Sequence, residues 1–197
     1  VPRRKRVNFI RYADDFIVTG KSKRLLEEKV KPAVIKFLAG RGLTLSEEKT
    51  QFTHIKNGFT FLGQTFRKRG KKLHIKPSKE GVLALIQKVG TIIFKHVSAP
   101  MPALIKKLNQ TLRGWGNYHR WVVASAVFCK IDTYVYEQLW RCLRKRHPKK
   151  SKKWLVSRYW QASGKNHVFA IRHKTTKGER VYTVQRLIDL VETRYIK

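Results

Sequence analysis

Asp14 and Asp15 stand side by side in "VNFIRYADDFIVTG", between two short apolar runs, in a chain that has 12 Asp and Glu against 45 Lys and Arg. Adjacent carboxylates oppose each other's ionisation unless a cation neutralises them. A divalent metal does this, and Mg²⁺ takes hard oxygen ligands of this kind. Two such ions about 3.5 to 4 Å apart can clamp the attacking and leaving oxygens of an in-line phosphoryl displacement. Asp is also a common turn residue that tolerates turn backbone angles, so the pair by itself is first of all a turn signal. Its surroundings have to decide.

Those surroundings predict a β-hairpin from Val7 to Gly20, apolar strand, "YADD", apolar strand, with the acids at its tip. Ser22 can cap a helix with Leu26, Val30, Val34, Phe37 and Leu38 on one face, which Gly40 and Gly42 stop. "LTLSEEKTQFTHI" predicts extended structure around a polar turn that holds Glu47 and Glu48, and "GFTFLGQTFRKRGKKLHI" a second hairpin with "RKRGKK" as its turn. After Pro77 the period becomes helical. Val82, Leu85, Ile86, Val89, Ile92 and Ile93 form one stripe, ended by "SAPMP"; Leu104, Leu108, Leu112 and Trp115 form a second, and Ile131, Val135, Leu139 and Leu143 a third. Three such helices can make a small bundle. Seven of the ten residues from Arg144 to Lys153 are Lys or Arg, a block expected to be exposed and mobile until it meets phosphate. The remainder reads as a short α/β appendage. The fold class is therefore α+β.

A net charge of +33 on 197 residues calls for a polyanion, and nucleic acid is the leading partner. The membrane alternative fares poorly, because the best apolar run, "WVVASAVFC" from Trp121 to Cys129, falls short of the roughly 20 residues of a spanning helix. The charged start "VPRRKR" does not read as a signal peptide. At 42% hydrophobic residues the chain can bury a core, so it should fold, as one or two domains. Cys129 and Cys142, in apolar surroundings and without metal-ligand spacing, predict buried thiols, no zinc site and a reducing compartment. The expected location is cytoplasmic and nucleic-acid associated, or organellar. The start on a basic stretch without an initiator Met suggests the back part of a longer polypeptide.

With its neighbours, "FIRYADDFIV" resembles the YxDD catalytic hairpin in the palm of reverse transcriptases. "FLAGRGLTLSEEKTQF" is similar to the palm segment that follows, and "GFTFLGQTFRK" to the hairpin that grips the primer terminus. "LIKKLNQTLRGWGNYHRW" and "FCKIDTYVYEQLWRCLRKRHPKK" are similar to the maturase-specific thumb of group II intron reverse transcriptases. The resemblance implies an RNA-directed DNA polymerase that helps its intron RNA fold and splice and copies it in retrohoming. Its implied cofactor is Mg²⁺, held by Asp14 as a direct ligand and Asp15 beside it. Its implied partners are group II intron RNA in a ribonucleoprotein, a DNA target or primer, and deoxynucleoside triphosphates. Tyr12 would support the primer terminus or incoming nucleotide or, equally, would only pack within its strand, and Phe61, Leu62 and Gly63 belong to the primer hairpin. Lys49 could protonate the leaving pyrophosphate or be a solvated lysine of the "SEEKT" turn. The family also needs a further Asp and a fingers region, which normally precede YxDD. Asp132 and Asp189 are poor substitutes, so the chain alone is expected not to polymerise. No Cys or His cluster of an HNH nuclease module follows Lys174.

"RGWGNYHRW" interleaves Arg113, His119 and Arg120 with Trp115, Tyr118 and Trp121, a mixture that can stack bases and hold phosphates. Trp115 and Trp121 also suit a helix's core side, which leaves Arg113 and Asn117 as the better RNA contacts. Lys149, Lys150, Lys152 and Lys153 would hold phosphates without sequence preference. The expected divisions are 1–76 as the end of the palm, 77–147 as the helical thumb, and 148–197 as a basic nucleic-acid-binding segment. The rival readings are a splicing cofactor without polymerase activity and a basic architectural protein.

Overall fold

The computed structural model describes residues 7–163, 166–176 and 178–190. The start "VPRRKR" and the close of the last segment lie outside the described residues. The fold mixes helices with small antiparallel sheets, as α+β requires. It comprises two compact units, Val1–Gly58 and Phe59–Lys197.

In the first unit β1 (Asn8–Tyr12) pairs with β2 (Asp15–Thr19), Tyr12 opposite Asp15 and Ile10 opposite Ile17. The following helical stretch starts at Ser22, whose side chain accepts a hydrogen bond from the Leu25 N–H at 3.3 Å. It runs as α1 (Lys23–Leu25), a π-helical turn (Leu26–Val30) and α2 (Lys31–Ala39), with Gly40 as its C-cap and Gly42 at a φ of 68°. The π turn, unforeseen in the apolar stripe, ends two residues before Pro32. Proline has no N–H for the carbonyl four residues back, and a widened turn accommodates that gap. "LTLSEEKTQFTHI" forms turns and irregular backbone where extended structure was expected, with no ladder partner among the described residues. None of the residues 7–58 is fully buried, and Phe9, Ile10, Tyr12, Phe37 and Leu43 lie exposed.

The second unit opens with a meander of three strands, β3 (Phe59–Phe61), β4 (Gln64–Arg69) and β5 (Lys72–Pro77), where one hairpin was expected. The "RKRGKK" turn is there, at Gly70; a second tight turn lies at Leu62–Gly63. Then come α3 (Lys79–Lys95), α4 (Met101–His119) and α5 (Ser125–Arg146), with the three apolar stripes facing one another. Leu104, Leu108, Leu112, Phe128, Ile131 and Leu143 are fully out of solvent. Each such side chain contributes about 1.5 to 3 kcal/mol. Cys142 is on the buried stripe, and its thiol pKa is raised by that burial. Cys129, expected buried too, is exposed. It lies one position past Phe128 on α5, off the face that carries Phe128, Ile131 and Val135.

The basic block is built in, contrary to its expected mobility. Arg144, Lys145 and Arg146 finish α5, and Arg146 donates to the His96 and Ala99 carbonyls. Ser151 caps α6 (Lys152–Tyr159), accepting from the Trp154 N–H at 3.2 Å. The strands β6 (Trp160–Ser163), β7 (Asn166–Thr175) and β8 (Gly178–Thr183) follow in one antiparallel sheet, then a 3₁₀ turn (Ile188–Leu190). This segment shares the helical core through Leu155, Trp160, Phe169, Ile171, Val184 and Leu187. Asp132 ties it down, its carboxylate accepting from the Leu187 N–H at 2.8 Å and the Ile188 N–H at 3.0 Å. Burial raises the Asp132 pKa and those two donors oppose the rise, so the hydrogen bonds make this acid a structural tether.

The glycines of "RGWGNYHRW" differ sharply. A Cβ on Gly116 would come within 2.5 Å of a Leu190 methyl and 2.8 Å of a Leu187 methyl, whereas one on Gly114 meets nothing within 4 Å. Gly116→Ala is expected to destabilise by about 1 to 3 kcal/mol through overpacking, while Gly114→Ala stabilises by up to about 1 kcal/mol through helix propensity. Urea midpoints of the two variants check the contrast; equal shifts would remove the close-packing role of Gly116.

Candidate active site and nucleic-acid interface

The acids sit where a two-residue turn puts them. Ala13 and Asp14 link β1 to β2, and Ala13 has a φ of 51°. A positive φ at the first turn position matches the twist of the flanking strands, and a small side chain keeps its cost low. Arg11 Nε donates to the Ala13 carbonyl at 2.7 Å and pins the turn, a role that no pattern in the sequence signalled. Phe9 stacks on Phe16 with centroids 5.5 Å apart, bracing the strands behind it.

Asp14 and Asp15 are both exposed, and neither carboxylate has an ion-pair or side-chain hydrogen-bond partner among the described residues. They offer hard, uncommitted oxygens, which is the donor chemistry Mg²⁺ takes. The set is partial, because no group of three or more Asp, Glu, His or Cys able to hold a metal occurs among the described residues. Tyr12 opposes Asp15 across the ladder and is exposed. Lys49 is exposed in the turn closed by Thr50 on the Ser46 carbonyl, and no ion pair joins it to Asp14 or Asp15. In the same turn Glu47 takes Lys31 at 2.9 Å, and that hydrogen bond lowers the Glu47 pKa.

In the second unit the Leu62–Gly63 turn is clamped from two sides. Leu62 has a φ of 49°, and its carbonyl accepts from the Tyr118 hydroxyl at 2.7 Å. The Gly63 carbonyl accepts from the Ser78 N–H at 2.8 Å, while the Ser78 side chain caps α3 on the Gly81 N–H at 3.0 Å. Phe61, half-buried, starts the same turn, and Phe59 stacks on Phe66 at 5.3 Å behind it. Phe61, Leu62, Gly63 and Tyr118 are thus brought together by contacts among the meander, α3 and α4.

"RGWGNYHRW" splits into two sides. Arg113, Asn117 and Tyr118 are exposed, as is Trp121, which has the Arg120 guanidinium over its ring at 4.5 Å. Trp115 packs on Phe128 at 5.7 Å and on His119 at 4.3 Å, so it faces the core. The core alternative therefore holds for Trp115 and not for Trp121. His119 is itself buried, and its Nδ1 has no hydrogen-bond partner among the described residues. Burial lowers its pKa from 6.5 to about 4. A pKa depressed on folding stabilises above 6.5 and loses that contribution as pH falls toward 4. Stability is expected to fall across that window by up to about 1.4 kcal/mol per pH unit more than in His119→Leu, as denaturant titrations would read. Parallel pH profiles would refute this.

Lys149, Lys150, Lys152 and Lys153 are all exposed. Two of them lean on aromatic rings absent from the sequence-based site: Lys150 Nζ lies 5.3 Å from the Trp154 centroid and Lys152 Nζ 5.9 Å from that of Trp140. No helix among the described residues is long and apolar enough to cross a membrane.

Residues 1–66 match the family model described as reverse transcriptase (RNA-dependent DNA polymerase), and residues 82–160 that of the group II intron, maturase-specific domain. The chain is 27% identical over 113 residues to the ribosomal operon-associated A protein of Euglena longa, covering 55% of this chain and 22% of that protein. It is 40% identical over 35 residues to the protein of the same name from Euglena gracilis, covering 18% of this chain and 7% of that protein. The matched stretches span less than a quarter of either relative's length.

Proposed function

We propose that this chain, in which a reverse-transcriptase segment runs into a group II intron maturase-specific domain, is part of an RNA-directed DNA polymerase and maturase that binds intron RNA, aids its splicing and copies it in retrohoming. One observation carries the reading: a hairpin tip with two uncommitted carboxylates precedes, in family order, a helical unit with exposed cations. The functional division is 1–76 palm, 77–147 thumb and 148–197 basic segment.

The residues take these roles. Asp14 and Asp15 would hold Mg²⁺ together with a further acid, and the bound ions would neutralise charge on the attacking and leaving oxygens of nucleotidyl transfer. Tyr12 supports the primer terminus or the incoming deoxynucleoside triphosphate from the strand beside Asp15. The Phe61–Gly63 turn positions the primer, and Tyr118 and Ser78 hold that turn through its carbonyls. Lys49 donates a proton to the leaving pyrophosphate. Arg113, Asn117, Tyr118 and Arg120 form an RNA-facing side of α4 and its end, with Trp115 supporting it from the core, and Lys149, Lys150, Lys152 and Lys153 add phosphate contacts.

The second reading, a splicing cofactor without polymerase activity, is favoured by the partial donor set at Asp14 and Asp15. Both readings give the same result for the 197-residue chain alone. It is expected to bind group II intron RNA, with affinity falling steeply between about 50 and 200 mM salt, and not to extend a primer. Filter binding across a salt series and primer extension with Mg²⁺ test this. Copying by the chain alone would sink the partial-site reading, and salt-insensitive or absent RNA binding would sink both.

A further inference from the structure

We propose that the hollow between the end of α5 and the start of α6 receives one unpaired nucleotide of a structured RNA, its base on Trp140 and its phosphate among Arg144, Lys150 and Lys152. The proposal rests on the RNA-binding reading above and gives it a site. The hollow has a volume of about 400 Å³. That lies within the roughly 300 to 1,000 Å³ of small-ligand sites. Its cationic lining is Arg144, Lys150 and Lys152, and no acidic residue among the described residues lines it, so its charge selects an anion.

The same lining supplies a stacking wall. Trp140 is braced by Trp160 of the core, with centroids 5.2 Å apart, and Lys152 Nζ lies over its ring at 5.9 Å. A lysine tip over an indole is a weak, mobile contact. A base can take the ring while the ammonium moves to the phosphate, a stronger combination for both groups. The rest of the wall is fixed: Leu155 is fully buried, and His147 is held through Nε2 to the Tyr159 hydroxyl at 2.8 Å. Exposed Arg141, Lys145, Lys149 and Lys153 flank these positions in sequence without lining the hollow. This basic setting favours a nucleotide within a polyanion over a free one.

The test uses the whole chain and two labelled RNA hairpins, one fully paired and one with a single bulged 2-aminopurine. The bulged RNA is expected to bind about tenfold more tightly, with the emission of its 2-aminopurine quenched by stacking. Trp140→Leu should lose both the preference and the quench, with paired-RNA affinity held within about twofold. Because Trp140 also packs on the core, a charge-matched pair of surface variants provides an independent reading. Arg144→Gln with Lys152→Gln should reduce the preference for the bulge, whereas Lys149→Gln with Lys153→Gln, which removes phosphate contacts outside the hollow, should weaken both RNAs alike and leave the preference as it was. Equal binding of both RNAs, or equal effects of the two charge pairs, would overturn the site while leaving general RNA binding in place. Binding of neither RNA would overturn the RNA reading itself. Adenosine monophosphate binding as tightly as the bulged RNA would assign the hollow to a free nucleotide and overturn the proposal.

Discussion

Asp14→Asn, placed in a polymerase-competent form that carries the rest of the palm, is expected to lower cDNA synthesis by at least about a hundredfold, as the loss of a charged group at a reacting phosphate does. The substitution keeps shape and removes charge. Asn suits the same turn position, and among the described residues the side chain of Asp14 makes no hydrogen bond or ion pair that the hairpin would lose. The fold should therefore remain, and the loss would belong to chemistry alone. RNA affinity should be unchanged or slightly raised, since one negative charge leaves a chain with a net charge of +33. Primer extension and RNA binding are measured on the same preparation. Copying at the parental rate would reduce the acid pair to a structural turn and remove Asp14 from the metal site.

The hairpin that carries this prediction was legible in the sequence for a physical reason. Short apolar runs rich in β-branched and aromatic residues on both sides of a polar turn leave few other folds for "FIRYADDFIV", and the register pairs Tyr12 with Asp15. Ser22 was equally informative, because an N-cap satisfies backbone donors that the helix itself leaves free. The Leu62–Gly63 turn was hidden, since Leu is an unusual residue at a φ of 49°. What holds it there, the Tyr118 hydroxyl on the Leu62 carbonyl, comes from a residue 56 positions away. In the C-terminal segment the α/β character was legible and the packing was not, for a related reason. Its short apolar clusters at Trp160, Phe169 and Leu187 have no single period, and only their convergence on the helical core gives them a place. In the basic block, charge density concealed the cap at Ser151.

Neutralising Arg113, Lys149, Lys150, Lys152 and Lys153 together should give the opposite phenotype to Asp14→Asn. All five side chains are exposed, so their removal leaves the core of α4, α5 and α6 intact. For every cation that no longer meets a phosphate, the slope of log affinity against log salt should become shallower by close to one unit. Intron binding at moderate salt should accordingly fall by orders of magnitude, and assisted splicing with it. Copying of a simple primed template, measured in the polymerase-competent form at saturating template, should change far less. The acid pair and the basic set lie in different compact units and share no partner, so combining the substitutions should add their effects. The decisive comparison is splicing against primer extension on the same variants. Losses of equal size in both assays for both sets would mean that one surface serves both reactions, and the division between a catalytic hairpin and an RNA-holding thumb would have to be abandoned.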